Sequence, residues 1–316
     1  MSKNKQLNSN IIKVFVPFFE RIRQFFMKKS YWLLHLAVIL AGFTGVFGKL
    51  ISLNEVLLTW YRLFFSAIFL FILLKILKVE KLKNSKEKLN IAKVGLLITA
   101  HWIFFYASIK YSTISIGVIC YCLTSFFTAL FKPLINKKPF VLSEMILSGI
   151  TLIGISLIFH FDTSYQLGIA FGVISSAIGA LYTIYNERLA KSNYDSKIIN
   201  YYQMIGGTIG LGVLLPIYLF VFPTSYIIPN AQDIIYLILL SIFCTVGLYV
   251  AVTEVLSKIS AFTVNLSFNL EPIYSIIIAF LFFNEGKNVL PSFYVGVCCV
   301  ILSVVLQSLF FVRRSK

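Results

Sequence analysis

The 316-residue chain is 59% hydrophobic and only 13% charged, where an ordinary soluble domain is roughly 45–50% apolar and about 25% charged. Together with a mean hydropathy of +0.87, this excludes a soluble globular protein. The net charge of +16 does not point to nucleic acid, because Lys and Arg cluster in short segments between long apolar runs instead of forming one binding face.

Residues 1–30 form a cytoplasmic segment in which Phe15, Phe18, Phe19, Phe25 and Phe26 alternate with Lys13, Glu20, Arg21 and Arg23. Charge interrupts it too often for a span, so it reads as an amphipathic helix lying in the membrane interface. A bilayer core about 30 Å thick needs about 20 apolar residues per helix. Ten such spans follow, at 31–49, 55–76, 91–110, 114–135, 141–160, 166–186, 198–221, 232–253, 260–283 and 289–311, leaving a short tail at 312–316. The runs are continuously apolar, whereas barrel strands alternate over about ten residues, so helices are expected. All five cysteines (120, 122, 244, 298 and 299) fall inside these runs as small hydrophobes, and no disulfide, metal site or cofactor is expected.

Orientation follows from Lys and Arg in the connections. Seven precede the first span, seven lie between the second and third or at their facing ends (Lys75 and Lys93 included), three between the fourth and fifth or at the fourth's end (Lys132 included), and three between the sixth and seventh. With Lys258 and three after the last span, these all fall on one side, against Lys49, Lys110 and Lys287 on the other. Both termini are therefore expected in the cytoplasm of a multi-pass protein of the cytoplasmic membrane.

Sliding the chain on itself by 147 residues lays Leu123 on Leu270, Gly149 on Gly296 and Ser156 on Ser303. A shift of 141 lays Thr59-Trp60-Tyr61-Arg62 on Asn200-Tyr201-Tyr202-Gln203. The chain thus divides into two five-helix repeats, 31–160 and 166–311, and an odd number of spans makes the second enter the membrane inverted. An inverted repeat suits a carrier working by alternating access, with a small-molecule substrate and the lipid bilayer as its partners.

Five helices twice over, short loops, Leu270-Glu271-Pro272 in the ninth span, Phe283-Asn284-Glu285 closing it and Gly296 in the tenth resemble the EamA-type members of the drug/metabolite transporter superfamily. The resemblance covers residues 31–311 and implies an exporter or exchanger of small metabolites, often amino acids. It also implies a central cavity formed by the third, fourth, eighth and ninth spans and the second helix of each repeat. Thr124-Ser125 stands where the ninth span has Glu271-Pro272, so the two halves are not expected to contribute equally.

The few polar residues inside the spans are the candidate site, since each is expensive at a helix centre. Arg62 reads either as a receiver of a substrate carboxylate or phosphate or as a structural strut. Glu271 either accepts a substrate ammonium or a coupling proton, or satisfies backbone opened at Pro272, the expected hinge. His101, beside Trp102 and Tyr106, bonds a neighbouring helix or faces the cavity. Tyr106, Tyr121, Tyr202 and Tyr274 need partners for their hydroxyls and are expected to point inward, as are Gln203 and the pair Asn265 and Asn269 on one helical face. Membrane enzymes are disfavoured: the three His, at 35, 101 and 160, are scattered, and neither a G-x-S-x-G elbow nor a G-x-x-x-x-G-K-[ST] loop occurs. A nucleotide-sugar or drug carrier of the same fold, or a channel or structural membrane subunit, is the alternative.

Overall fold

The computed structural model describes residues 29–80, 82–158, 165–192, 194–275 and, within 294–306, all but 297, 300 and 304. These residues are helical and contain no strand. The helices are α1 (Lys29–Leu50), α2 (Glu55–Ile76), α3 (Ser85–Lys110), α4 (Ile114–Tyr121), α5 (Leu123–Asn136), α6 (Leu142–Ile158), α7 (Gln166–Ala190) and α8 (Ser196–Val221). Then come α9 (Ala231–Ser241), a wide turn at Ile242–Gly247, α10 (Leu248–Leu256), α11 (Ala261–Phe268) and a helical stretch at 271–275. Counting α4 with α5 and α9 with α10, seven spans are long and apolar enough to cross a bilayer among the described residues. The interfacial segment, Phe283-Asn284-Glu285, the end of the ninth span and the terminal tail lie outside the described residues.

Polar caps start the helices where the apolar runs begin. Asn54 accepts from the Leu57 N–H at α2, Thr113 from Ile116 at α4, Asp195 from Lys197 at α8, Asn230 from Asp233 at α9 and Ser260 from Thr263 at α11. Such caps matter most where lipid cannot satisfy the first N–H groups.

Helix α3 packs most extensively on α7 and α8. Small residues allow this, because a Cβ on Gly95 would collide with the Gln203 backbone and one on Gly206 with the Ala92 backbone, so α3 and α8 touch main chain to main chain. A Cβ on Gly172 would likewise lie 2.5 Å from Cys120 Cβ. Much of the second half of α8 is bare: Ile209, Val213, Leu214, Ile217 and Phe220 are all exposed, as apolar side chains facing lipid should be.

Two polar clusters mark the two ends of the bundle. At one, the Ser52 N–H and hydroxyl bond the Asp233 carboxylate at 2.9 and 2.5 Å, Lys110 Nζ donates to the Ile51 carbonyl at 3.2 Å, and Tyr218 OH reaches Glu55 at 3.4 Å. At the other, Glu187 joins Lys132, Lys191 and the Ala261 N–H. The start of α2 therefore meets the end of α8, and these two helices run antiparallel.

Candidate functional site

The ninth span is broken one turn earlier than Pro272 alone suggests. Helix α11 stops at Phe268, Asn269 and Leu270 form a tight turn in which each N–H reaches back only three residues, and the helix resumes at Glu271. Pro272 thus occupies the first turn of the new segment, where its missing N–H costs nothing, while its ring excludes the helical position of the Phe268 carbonyl. The helix break consists of residues 269–270, just ahead of Pro272.

The fourth span, read from the sequence as unbroken, is interrupted as well. Cys122 separates α4 from α5, with Cys122 N–H on the Ile119 carbonyl at 3.0 Å. No proline is present; instead the Ser125 hydroxyl bonds the Cys122 carbonyl at 3.0 Å, drawing it from the helical ladder. The 147-residue shift lays Cys122 on Asn269 and Ser125 on Pro272, so the two breaks coincide by different chemistry. The broken spans are laced together by Asn265 Nδ2 donating to Thr128 Oγ1 at 2.7 Å and Asn269 Nδ2 to Ser125 Oγ at 3.2 Å.

Between these breaks lies a chamber with about 310 Å³ of empty space among its lining atoms. Glu271 enters it at the ninth-span break, Tyr121 at the fourth, and Phe268 from the end of α11. Helix α3 contributes His101, Trp102 and Phe105, α10 contributes Leu248 and Tyr249, and α1 contributes Ala41 and Thr44. A second chamber shares His101, Tyr121, Tyr249 and Phe268 and adds Tyr182, Thr183 and Asn265.

Glu271 is 3% exposed, and no hydrogen bond or ion pair from a described residue reaches its carboxylate. A charge there costs roughly 2.5–3.5 kcal/mol even on insertion scales. Trp102, Phe105, Tyr121, Tyr249 and Phe268 line the same chamber as Glu271. Such a ring array attracts cations through its quadrupoles. His101 is held from behind: Nδ1 lies 3.0 Å from the Ser175 carbonyl, which can only accept, while Ser175 Oγ donates to the His101 carbonyl at 3.0 Å. Nδ1 is therefore the protonated nitrogen, and no described residue bonds Nε2.

Of the sequence candidates, His101, Trp102, Tyr121 and Glu271 meet in the first chamber, and Asn265 lies on the wall of the second. Arg62 and Tyr106 sit behind Trp102, outside both walls. Arg62 is fully buried, donating to Thr245 Oγ1 at 2.8 Å, Tyr106 OH at 2.7 Å and the Cys244 carbonyl at 2.7 Å, with its guanidinium 3.7 Å above the Trp102 ring. Gln203 belongs to a polar chain, donating to Asn186 Oδ1 at 3.0 Å and accepting from Tyr182 OH at 3.3 Å. Tyr202 departs from the inward position expected of it and packs with Leu74, Ile91, Ile198 and Ile199. Tyr274 does so too, lying against α1 with its hydroxyl 3.1 Å from His35 Nε2. Asn269 bonds Ser125 and Thr151 instead of facing the chamber.

The chamber walls come from the third, fourth, eighth and ninth spans, as the resemblance implied, but with the first and sixth in place of the second helix of each half. Sequence reasoning missed Thr44, Phe105, Tyr182 and Tyr249. Only Tyr249 had a signal, since Trp102 Nε1 needs an acceptor in an apolar bundle and finds Tyr249 OH at 2.8 Å.

Comparison with known proteins agrees with this architecture. A protein from Clostridium kluyveri described as an uncharacterized transporter is 23% identical over 302 residues, covering 89% of this chain and 93% of its own. One protein crystal structure superimposes with a TM-score of 0.69 at 12% identity, covering 92% of this chain and 99% of that one, a likeness of fold. The model of the EamA-like transporter family matches twice, over residues 28–160 and 166–309. The chain therefore belongs to the EamA-like transporter family, and with it to the drug/metabolite transporter superfamily: it is a multi-pass membrane transporter.

Proposed function

We propose that the protein is an exporter or exchanger of small metabolites bearing an ammonium group, amino acids among them, and that it works by alternating access around the aromatic chamber. The observation that carries this reading is Glu271, a buried carboxylate with no described partner, in a chamber lined by aromatic rings. A cationic substrate group, or a coupling proton when the site is empty, removes the penalty of the naked charge. No described Lys or Arg lines either chamber, which disfavours a nucleotide-sugar substrate with its diphosphate.

Two further features support the cycle. The breaks at Cys122 and Asn269 occupy corresponding places in the halves, and the counterpart helices α2 and α8 run antiparallel, which is what an inverted repeat requires. The bundle is tied by polar clusters at both ends, so a loaded carrier must open one end at a time. Counterflow in liposomes with a panel of labelled amino acids and other amines is expected to give saturable, exchange-stimulated flux. Non-saturating flux would make the protein a channel and end this reading.

We further propose that both termini are cytoplasmic, as the Lys and Arg distribution requires. A cysteine placed at Ser85, before α3, is expected to react with an impermeant thiol reagent only from inside, and one at Ser225, in the exposed α8–α9 connection, only from outside. Reversed labelling would invert the topology.

A further inference from the structure

The eighth span contains a feature that the transport reading leaves unexplained. Between α9 and α10 the backbone widens at Ile242–Gly247, with the Leu248 N–H reaching Phe243 O, five residues back. In an α-helix that N–H would bond Cys244 O. The Cys244 carbonyl is thereby released, and it accepts from Arg62 Nη2 at 2.7 Å. The next residue is recruited as well: Thr245 Oγ1 accepts from Arg62 Nε at 2.8 Å and donates to Leu240 O, again five residues back, at 3.0 Å. Arg62 thus bonds two consecutive residues of one wide turn, from a helix remote in sequence.

A wide turn amounts to one residue inserted into an α-helix. It turns everything after it by about 100° relative to the helix before. The first residues after it, Leu248 and Tyr249, are the ones α10 presents to the chamber. Tyr249 is then fixed by the Trp102 indole, which the Arg62 guanidinium covers at 3.7 Å.

We propose that Arg62 is a positioning residue: it pins the wide turn in the eighth span and so decides which face of α10 meets the chamber, without itself touching substrate. Two of its five N–H groups bond the wide turn, a third bonds Tyr106 of α3, one face of the guanidinium is covered by Trp102, and its side chain is absent from both chamber walls. The inference rests on the chamber being the transport site only for its effect on transport; the pinning itself is a property of the fold.

The test is a thermal-unfolding cycle on purified full-length protein, which needs no substrate. Phe243 is exposed on the bundle surface, so deleting it sacrifices little packing. The deletion restores an unbroken α-helix with both flanks in their native registers, and the Cys244 carbonyl is then taken by backbone. Alone, the deletion orphans Arg62 and is expected to lower the unfolding midpoint by several degrees. Arg62→Met alone orphans the turn and is expected to do the same. Combined, they remove both orphans, and the double variant is expected to unfold above either single one. Additive losses would overturn the proposal, since a space-filling or substrate-binding arginine gives no reason for rescue by a deletion in another helix. If Arg62→Met does not accumulate, folded protein on adding the deletion supports the pin. Continued absence, with Arg62→Lys no more stable with the deletion than without, overturns it.

Discussion

Replacing Glu271 by Gln is expected to leave the protein inserted and at least as stable as wild type, yet to cut exchange flux by about tenfold or more, a loss of about 1.4 kcal/mol of productive interaction. Gln keeps the size and one carbonyl oxygen but carries no charge and takes no proton. The carboxylate, 3% exposed and bonded by no described residue, costs stability as an ion in the apolar bundle, so removing its charge relieves the fold while depriving a cation of its counter-ion. If Glu271 served only to mend backbone freed by Pro272, the amide would serve equally and flux would survive. Flux measured from about pH 5.5 to about pH 8.5 separates the roles, because a carboxylate that binds a proton in the cycle leaves a titration in the profile that Gln abolishes. Superimposable profiles with wild-type rates would remove Glu271 from the site.

The second large effect is expected at the opposite end of the same helices. Glu187, at the end of α7, is 6% exposed and accepts from Lys132 of α5 at 2.8 Å, from Lys191 at 2.5 Å and from the first N–H of α11, at Ala261, at 3.1 Å. One carboxylate therefore ties both broken spans to α7. Lys191 is half exposed and adds at most about 1 kcal/mol. Lys132 is 21% exposed in its side chain, and stranding a largely buried lysine costs about 3 kcal/mol or more. Glu187→Gln is expected to loosen this end, so that a cysteine at Thr183, on the wall of the second chamber, reacts faster with an impermeant reagent applied from the Glu187 end. The variant pairing Glu187→Gln with Lys132→Gln should lose less stability than the sum of the two. Unchanged labelling at Thr183 would mean the cluster is a static staple and not a closure.

How much of this was legible in the amino-acid order depends on the range of the physics involved. The cost of unsatisfied backbone in lipid makes each apolar run declare itself locally. Those runs determined the helical class, the places of the seven spans found among the described residues, and the repeat offset of 147 that lays one break on the other. Caps such as Asn54 and Asp195 are equally local. The polar residues within the runs were correctly marked as unusual, because their cost in hydrocarbon depends on the side chain alone.

What each of those residues faces was decided only by the tertiary structure. Asn265 and Asn269 share a helical face, and both bond α5 in the seam between the broken spans, with Asn265 alone of the two also lining a chamber. Arg62 had two readings that the sequence could not separate, since its acceptors are a carbonyl and a hydroxyl 182 and 183 residues away. The break at Cys122 carries no proline, and the Ser125 hydroxyl that draws off its carbonyl is a residue as common in unbroken helices. Tyr249 looked like one more aromatic in an apolar run until the wide turn rotated it onto Trp102. Local free energies set the elements in the membrane; the pairing of polar atoms across helices, together with close packing such as that of Gly95 on the Gln203 backbone, set which residues line the chambers.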